Sequence, residues 1–183
     1  MAKSQRECDE FVTARSRIAW VFPMLENPGH VFEGRIMKKK NVLFVCVHNS
    51  ARSQMAEALL RRMCGEEFET YSAGLEPGRL NPLVVEVMKE IGLDISENQT
   101  KSVFDMFKSG IMFAYVITVC DETAAERCPI FPGVTQRLHW SFPDPAAFEG
   151  THQHKLEKTR EVRDAIQARL EQWCRDACAP AVA

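Results

Sequence analysis

The stretch Asn41-Val42-Leu43-Phe44-Val45-Cys46-Val47-His48-Asn49-Ser50-Ala51-Arg52-Ser53 decides how the chain is read. Its apolar, partly β-branched run from Val42 to Val45 predicts a buried strand. The run ends on a cysteine, and after five residues Arg52-Ser53 opens a helical pattern. That pattern, Ser53 to Met63, sets Met55, Ala56, Ala58, Leu59 and Met63 on neighbouring faces. A loop between a parallel strand and a helix N-terminus aims several backbone N–H groups at one point, and the helix dipole adds partial positive charge there. A tetrahedral oxyanion fits such a cradle, here Val47, His48, Asn49, Ser50, Ala51, Arg52 and Ser53. Arg52 can offer a planar fork to two oxygens of the anion. Cys46 lies at the bottom of the same field, which favours the thiolate and so makes a nucleophile. Ser53 is placed to donate to that sulfur, and Asn49 suits a left-handed turn position. A buried strand-end cysteine and a surface arginine at this spacing also arise by chance; the strand before and the helix after them favour the functional reading.

Working outward, short β-branched or aromatic runs alternate with helical patterns, which predicts an α/β fold with a small four-stranded parallel sheet flanked by helices. The expected strands are Val42 to Val45, Phe68 to Ser72, Ala114 to Val119 and Arg137 to Trp140. A second helix starts with Asn81 as cap and Pro82 in its first turn and ends at Gly92. The last helix, Leu156 to Cys174, places Val162, Ile166, Leu170 and Trp173 on one stripe. Residues 1–36 show no sustained period and read as an appendage. Residues 37–178 form the expected catalytic domain, with Met37 as a candidate natural start, and 179–183 a tail.

With 183 residues, 45% apolar and 26% charged, the chain can bury a real core. A formal charge of −2 argues against nucleic acid or an anionic membrane as partner, and no apolar run approaches the roughly 20 residues of a spanning helix. Seven cysteines, an odd number, without a secretory signal predict a cytoplasmic, thiol-retaining protein. Cys64 reads as packing. Cys174 and Cys178, with His152 and His154 nearby, lack the paired spacing of a zinc site, so no metal site is expected there.

The loop resembles that of the low-molecular-weight protein tyrosine phosphatase family, and Cys46 through Glu57 resembles its arsenate reductase branch. Tyr71-Ser72-Ala73-Gly74, Asn81-Pro82, Gly92-Leu93-Asp94-Ile95-Ser96 and His139 through Ala146 support the resemblance in the same order, over about Lys39 to Trp173. The resemblance implies a general acid in the Asp144-Pro145 pair, although such an aspartate alone is an ordinary turn residue. It also implies arsenate as substrate, with phosphate as competing oxyanion, reduction to arsenite in arsenical resistance, and thioredoxin or another thiol donor as reductant.

Reducing arsenate takes two electrons, which without a redox cofactor come from thiols. Cys120 and Cys128 are the candidates, because they follow the third strand and parallel strands present their C-terminal ends to one edge. In the thioredoxin-coupled members a cysteine pair in this region resolves the reaction. The other reading is that Cys120 completes a strand and Cys128 precedes Pro129 in a loop. Were residues 120–128 all helical, their Cα atoms would stand about 12 Å apart, beyond the ~7 Å limit of a disulfide, so the segment must loosen. The spacing is one residue longer than in the best-known members, which leaves a relay through Cys46 with another donor open. Ala51 stands where many members carry a second loop cysteine, and His48 where phosphatases carry glycine. Ala146-Ala147 stand where phosphatases often place aromatics. Some reductases of this branch bind potassium near the loop. Asn49, Glu57 and Ser72 match parts of that site, with Ser102 in place of its aspartate. Otherwise no cofactor is expected. Two alternatives stay open: a low-molecular-weight phosphatase, or a non-catalytic oxyanion-binding or thiol-sensing module.

Overall fold

A computed structural model describes residues 38–120, 126–133 and 135–177. The proposed appendage at 1–36 and the tail at 179–183 lie outside them. Four parallel strands, β1 (Lys40–Cys46), β2 (Phe68–Gly74), β3 (Tyr115–Thr118) and β4 (Gln136–His139), form one sheet in the order β2-β1-β3-β4. β1 is central, and Val42, Leu43, Phe44 and Val45 are wholly buried, as a strand covered on both faces requires. The strand ends differ from expectation by a residue or two: Ala114, Val119 and Trp140 lie just outside β3 and β4, whose pairing stops at Thr118–His139.

Between β1 and β2 runs α1 (Arg52–Cys64), whose residues Arg52 to Leu60 are all buried. α2 (Pro82–Glu90) begins as expected, with the Asn81 side chain accepting from Leu83 N at 2.9 Å, and Gly92 at φ +77° turns the chain out of it. A short helix, α3 (Val103–Lys108), has no counterpart in the sequence reading, since six residues carry too little period to register. The last helix, α4 (His152–Ala177), begins a turn earlier than expected, at the Thr151 hydroxyl, which accepts from His154 N at 3.2 Å. Val162, Ile166, Leu170 and Trp173 are buried along it, as the stripe predicts. Trp173 packs against Phe68 and Tyr115, each at 5.0 Å between ring centroids, and Trp140 lies 6.1 Å away. No helix among the described residues is long and apolar enough to cross a membrane.

Candidate active site

The loop from Cys46 to Ser53 is shaped from behind. Four of its carbonyls are tied down by backbone donors of the chain after β2: Leu75 N to Cys46 O, Glu76 N to Val47 O, Gly78 N to His48 O and Asn81 N to Ser50 O, at 2.8–3.1 Å. Because a trans peptide points its C=O and N–H in opposite directions, the same planes turn the N–H groups of Val47, His48, Asn49 and Ala51 towards the inside of the loop. The Asn49 N–H shows this directly, donating to Cys46 Sγ at 3.1 Å. Asn49 takes φ +51°, the left-handed position expected of it. The loop runs into α1 with Ala51 at the N-cap and no side chain capping the helix, so the first-turn donors stay open to an anion.

Gly74 makes the close approach possible. A Cβ there would meet Asn49 N at 2.7 Å, His48 C at 2.8 Å and Val47 O at 2.9 Å, all backbone atoms. In the sequence Gly74 stands only as the last residue of Tyr71-Ser72-Ala73-Gly74. The glycine at a strand end was the available signal.

Behind the loop lies a chain of directed hydrogen bonds. The amide of Asn49 has only donors at Nδ2, and it donates to Ser53 Oγ at 2.8 Å and to Ser72 Oγ at 2.9 Å. Each hydroxyl proton is thereby left for another acceptor. Ser53 points to Cys46 Sγ at 3.0 Å, and Ser72 points to Glu57. Asn49 Oδ1 is held by Lys101 N at 2.8 Å and Gln54 Nε2 at 3.2 Å. The expected Ser53-to-sulfur donation is therefore present, with its direction set by the Asn49 amide.

The Glu57 carboxylate also pairs with Arg61 and, at 3.3 Å, with Lys101 Nζ. Two side-chain cations already face the single carboxylate that a bound potassium ion would need. Ser102 instead caps α3, accepting from Phe104 N at 3.2 Å. The donor set does not fit a resident cation. Among the described residues no cluster of His, Cys, Asp and Glu could hold a metal.

Arg52 is buried and reaches across to the segment after β4. Its Nη1 donates to Phe142 O at 3.1 Å and its Nη2 to Asp144 Oδ2 at 2.6 Å. Its Nε is buried with no partner, and a buried unpaired N–H costs about 1–3 kcal/mol. Asp144, the expected acid, accepts from Ala146 N at 3.0 Å and opens a short 3-10 turn, Pro145–Ala147. It is a turn aspartate and, through Arg52, a neighbour of the loop.

Cys120 is fully buried, two residues past β3. Val45 pairs with Thr118 and Val119 N donates to Val45 O at 2.8 Å, so Cys46 and Cys120 leave neighbouring strands at the same edge. Cys128 is buried too, and burial pushes its thiol up to about 11 despite Arg137 nearby. Residues 121–125 between the two cysteines lie outside the described set. Arg127 pairs with Glu76 at 2.5 Å, joining the Cys128 segment to the strap behind the loop, and its guanidinium holds the Glu76 carboxyl below the usual range.

Comparison with known proteins follows the same line. Residues 41–179 match the family of low molecular weight phosphotyrosine protein phosphatases. An arsenate reductase of Bacillus subtilis is 43% identical over 139 residues, which are 75% of this chain and 96% of that protein. The solved structure of an arsenate reductase in the phosphate binding state superposes with TM-score 0.59 at 27% identity, covering 75% of this chain and 98% of the other. The thioredoxin-dependent arsenate reductase of Corynebacterium glutamicum superposes with TM-score 0.57 at 30% identity over 76% of this chain. This chain spans 62% of that protein's length.

Proposed function

The chain belongs to the low molecular weight phosphotyrosine protein phosphatase family, and from that premise we propose that it is an arsenate reductase running a thiol relay from Cys46 through Cys120 to Cys128. The observation that carries this is the position of Cys120, a buried thiol two residues past the strand that neighbours β1, at the same sheet edge as Cys46. A phosphatase needs only the cradle, the nucleophile and the acid. A reductase also needs a thiol within reach of the nucleophile's adduct.

The inward N–H groups of Val47, His48 and Ala51, the open start of α1 and the unpartnered Nε of Arg52 receive the arsenate oxygens. Cys46 Sγ, which Ser53 and the Asn49 N–H contact at 3.0 and 3.1 Å, attacks arsenic as the nucleophile. An As–O bond breaks, and Asp144 gives its proton to the departing oxygen, which leaves as water. Cys120 Sγ then attacks Cys46 Sγ: the S–S bond forms, the S–As bond breaks, and its electron pair stays on arsenic, which leaves as arsenite. Cys128 Sγ attacks Cys120 Sγ and releases Cys46 as thiolate. A dithiol donor of the thioredoxin kind reduces the Cys120–Cys128 disulfide. Ser53 stabilises Cys46 twice, as entering nucleophile and as leaving group.

Phosphate, the same shape and charge as arsenate, competes for the cradle, and an aryl phosphate is hydrolysed slowly by Cys46 and Asp144 alone. Ala146 and Ala147, which follow the acid, give no aromatic platform for a phosphotyrosine ring. The test is arsenate-dependent oxidation of reduced thioredoxin. Cys46→Ser abolishes it. Cys128→Ser stops repeated turnover while leaving aryl phosphate hydrolysis in place. Phosphate release from aryl esters with no arsenate-linked thiol consumption would overturn the reductase reading in favour of the phosphatase.

A further inference from the structure

The relay leaves two described cysteines unused. Cys64 is the last residue of α1, and Cys174 lies near the end of α4. They are 110 residues apart in sequence, yet their sulfurs lie 2.7 Å from each other, with Cys64 donating to Cys174. Cys64 packs against the core, as the sequence predicts, and its neighbour there is a second sulfur. The pair is far from Cys46. Cys46 ends β1, whereas Cys64 O accepts from Glu67 N at 3.1 Å and Glu67 O accepts from Lys40 N at 3.0 Å, at the beginning of β1. The length of α1, roughly 18 Å, separates Cys64 from Arg52. Cys174 is buried, while Cys64 is partly open to solvent.

We propose that Cys64 and Cys174 form a second, non-catalytic redox pair that hydrogen peroxide oxidises to a disulfide joining α1 to α4. The solvent-open thiol reacts first. Cys64 Sγ, as thiolate, attacks one peroxide oxygen; the O–O bond breaks, one water leaves, and Cys64 carries a sulfenic acid. Cys174 Sγ attacks Cys64 Sγ, the S–S bond forms, the S–O bond breaks and a second water leaves. The two sulfurs give two electrons to the peroxide, and the two thiol protons end in the two waters. The sulfurs need close by only about 0.7 Å to reach bonding distance, and both sit on helices that already pack together. A dithiol reductant reverses the reaction. The oxidised form ties the helix that carries Arg52 and Ser53 to the helix that covers the sheet.

The sequence makes the test unambiguous, because trypsin places each of the seven cysteines in its own peptide. Cys64 falls in residues 63–79, Cys174 in 170–175 and Cys178 in 176–183. Full-length reduced protein is treated with a few equivalents of peroxide, blocked with a maleimide and digested without reductant. The expected product is 63–79 linked to 170–175, in wild type and in Cys46→Ser alike, with a raised thermal midpoint that dithiothreitol reverses. Cys64→Ser and Cys174→Ser each remove the link and leave arsenate turnover of the reduced protein within about two-fold of wild type. Cys64 recovered fully alkylated while other thiols are consumed, linked to 176–183, or over-oxidised to sulfinic acid without a link would each overturn the proposal.

Discussion

Replacing Gly74 with alanine tests whether the loop is shaped by what lies behind it. Gly74 ends β2 with a φ outside the left-handed region, so alanine meets no backbone strain and the added methyl is the whole perturbation. That methyl would sit 2.7–2.9 Å from Asn49 N, His48 C and Val47 O, inside the 3.4 Å where ordinary contact begins. No flexible side-chain end is there to swing aside, so the loop backbone must move by half an ångström or more. Overpacking of this kind costs about 1–3 kcal/mol of stability. A displacement of about 1 Å at a reacting centre costs on the order of 100-fold. Half that displacement predicts phosphate binding weakened about 10-fold and arsenate kcat/KM lowered about 10- to 100-fold. Phosphate affinity by titration calorimetry and thioredoxin-linked turnover measure the two. The control is Gly92→Ala, where φ is +77° and nothing stands within 4 Å of the new methyl. It costs about 1–2 kcal/mol of backbone strain and leaves anion binding unchanged. Equal losses of phosphate affinity in the two variants, or none in Gly74→Ala, would refute the claim that contact with β2 sets the cradle.

The buried Cys128, with its thiol pushed up to about 11, carries about 100-fold less thiolate at pH 7 than the ordinary value of 9.0 allows. Iodoacetamide therefore labels the 128–137 peptide of the reduced, folded protein about 100-fold more slowly than that of the unfolded chain; equal rates would show that the thiol is not held back. The same shift fixes a sign for stability. The unfolded thiol ionises from about pH 9 and the folded one only near 11, so the folded state keeps its advantage below 9 and loses it as pH rises through that window. The loss is up to about 2–3 kcal/mol, and it is absent in Cys128→Ala when urea midpoints are followed with pH. With Glu57 already facing Lys101 and Arg61, exchanging potassium for choline at fixed ionic strength changes wild-type turnover by less than about two-fold. A larger response would mean that a cation displaces Lys101. Asp144→Asn lowers arsenate turnover by about 10²–10⁴-fold, and an aryl phosphate with a good leaving group is spared much of that loss. Equal losses on both substrates would assign Asp144 to holding Arg52 instead of moving a proton.

The strand, loop and first helix were legible because their chemistry is contiguous: Val42–Val45 could only be a buried strand, and Asn49 was the one residue in the loop suited to a positive φ. Asn81-Pro82 and the Val162–Trp173 stripe were readable for the same reason, since cap and period are local signals. What escaped the sequence reading is long-range. Nothing near Gly74 says that a loop 25 residues earlier in the chain will press against its α-carbon, and the Cys64–Cys174 contact spans 110 residues. Arg52 is separated from Asp144 by 92 residues. The family resemblance supplied the acid, whereas its partner appeared only in three dimensions. Glu57 was read as part of a cation site. Its pairing with Lys101 depends on how the chain after α2 returns to β2, where Gly74 N donates to Lys101 O at 2.8 Å.

Two of these unread contacts amount to a single constraint. The loop turns its donors inward because its carbonyls are held outward by Leu75, Glu76, Gly78 and Asn81, and that strap can lie close enough only where β2 ends without a side chain. The left-handed turn at Asn49 then does two things at once. It sends the backbone N–H to Cys46 and presents the side-chain amide to Ser53 and Ser72. A glycine would accept the same φ but would leave both serine hydroxyls free to rotate, so the Ser53 proton would no longer be committed to the sulfur. A non-glycine residue in a conformation that favours glycine is therefore explained by the sulfur it serves. The nucleophile's environment thus depends on the Asn49 amide, whose contacts are all with the protein's own groups.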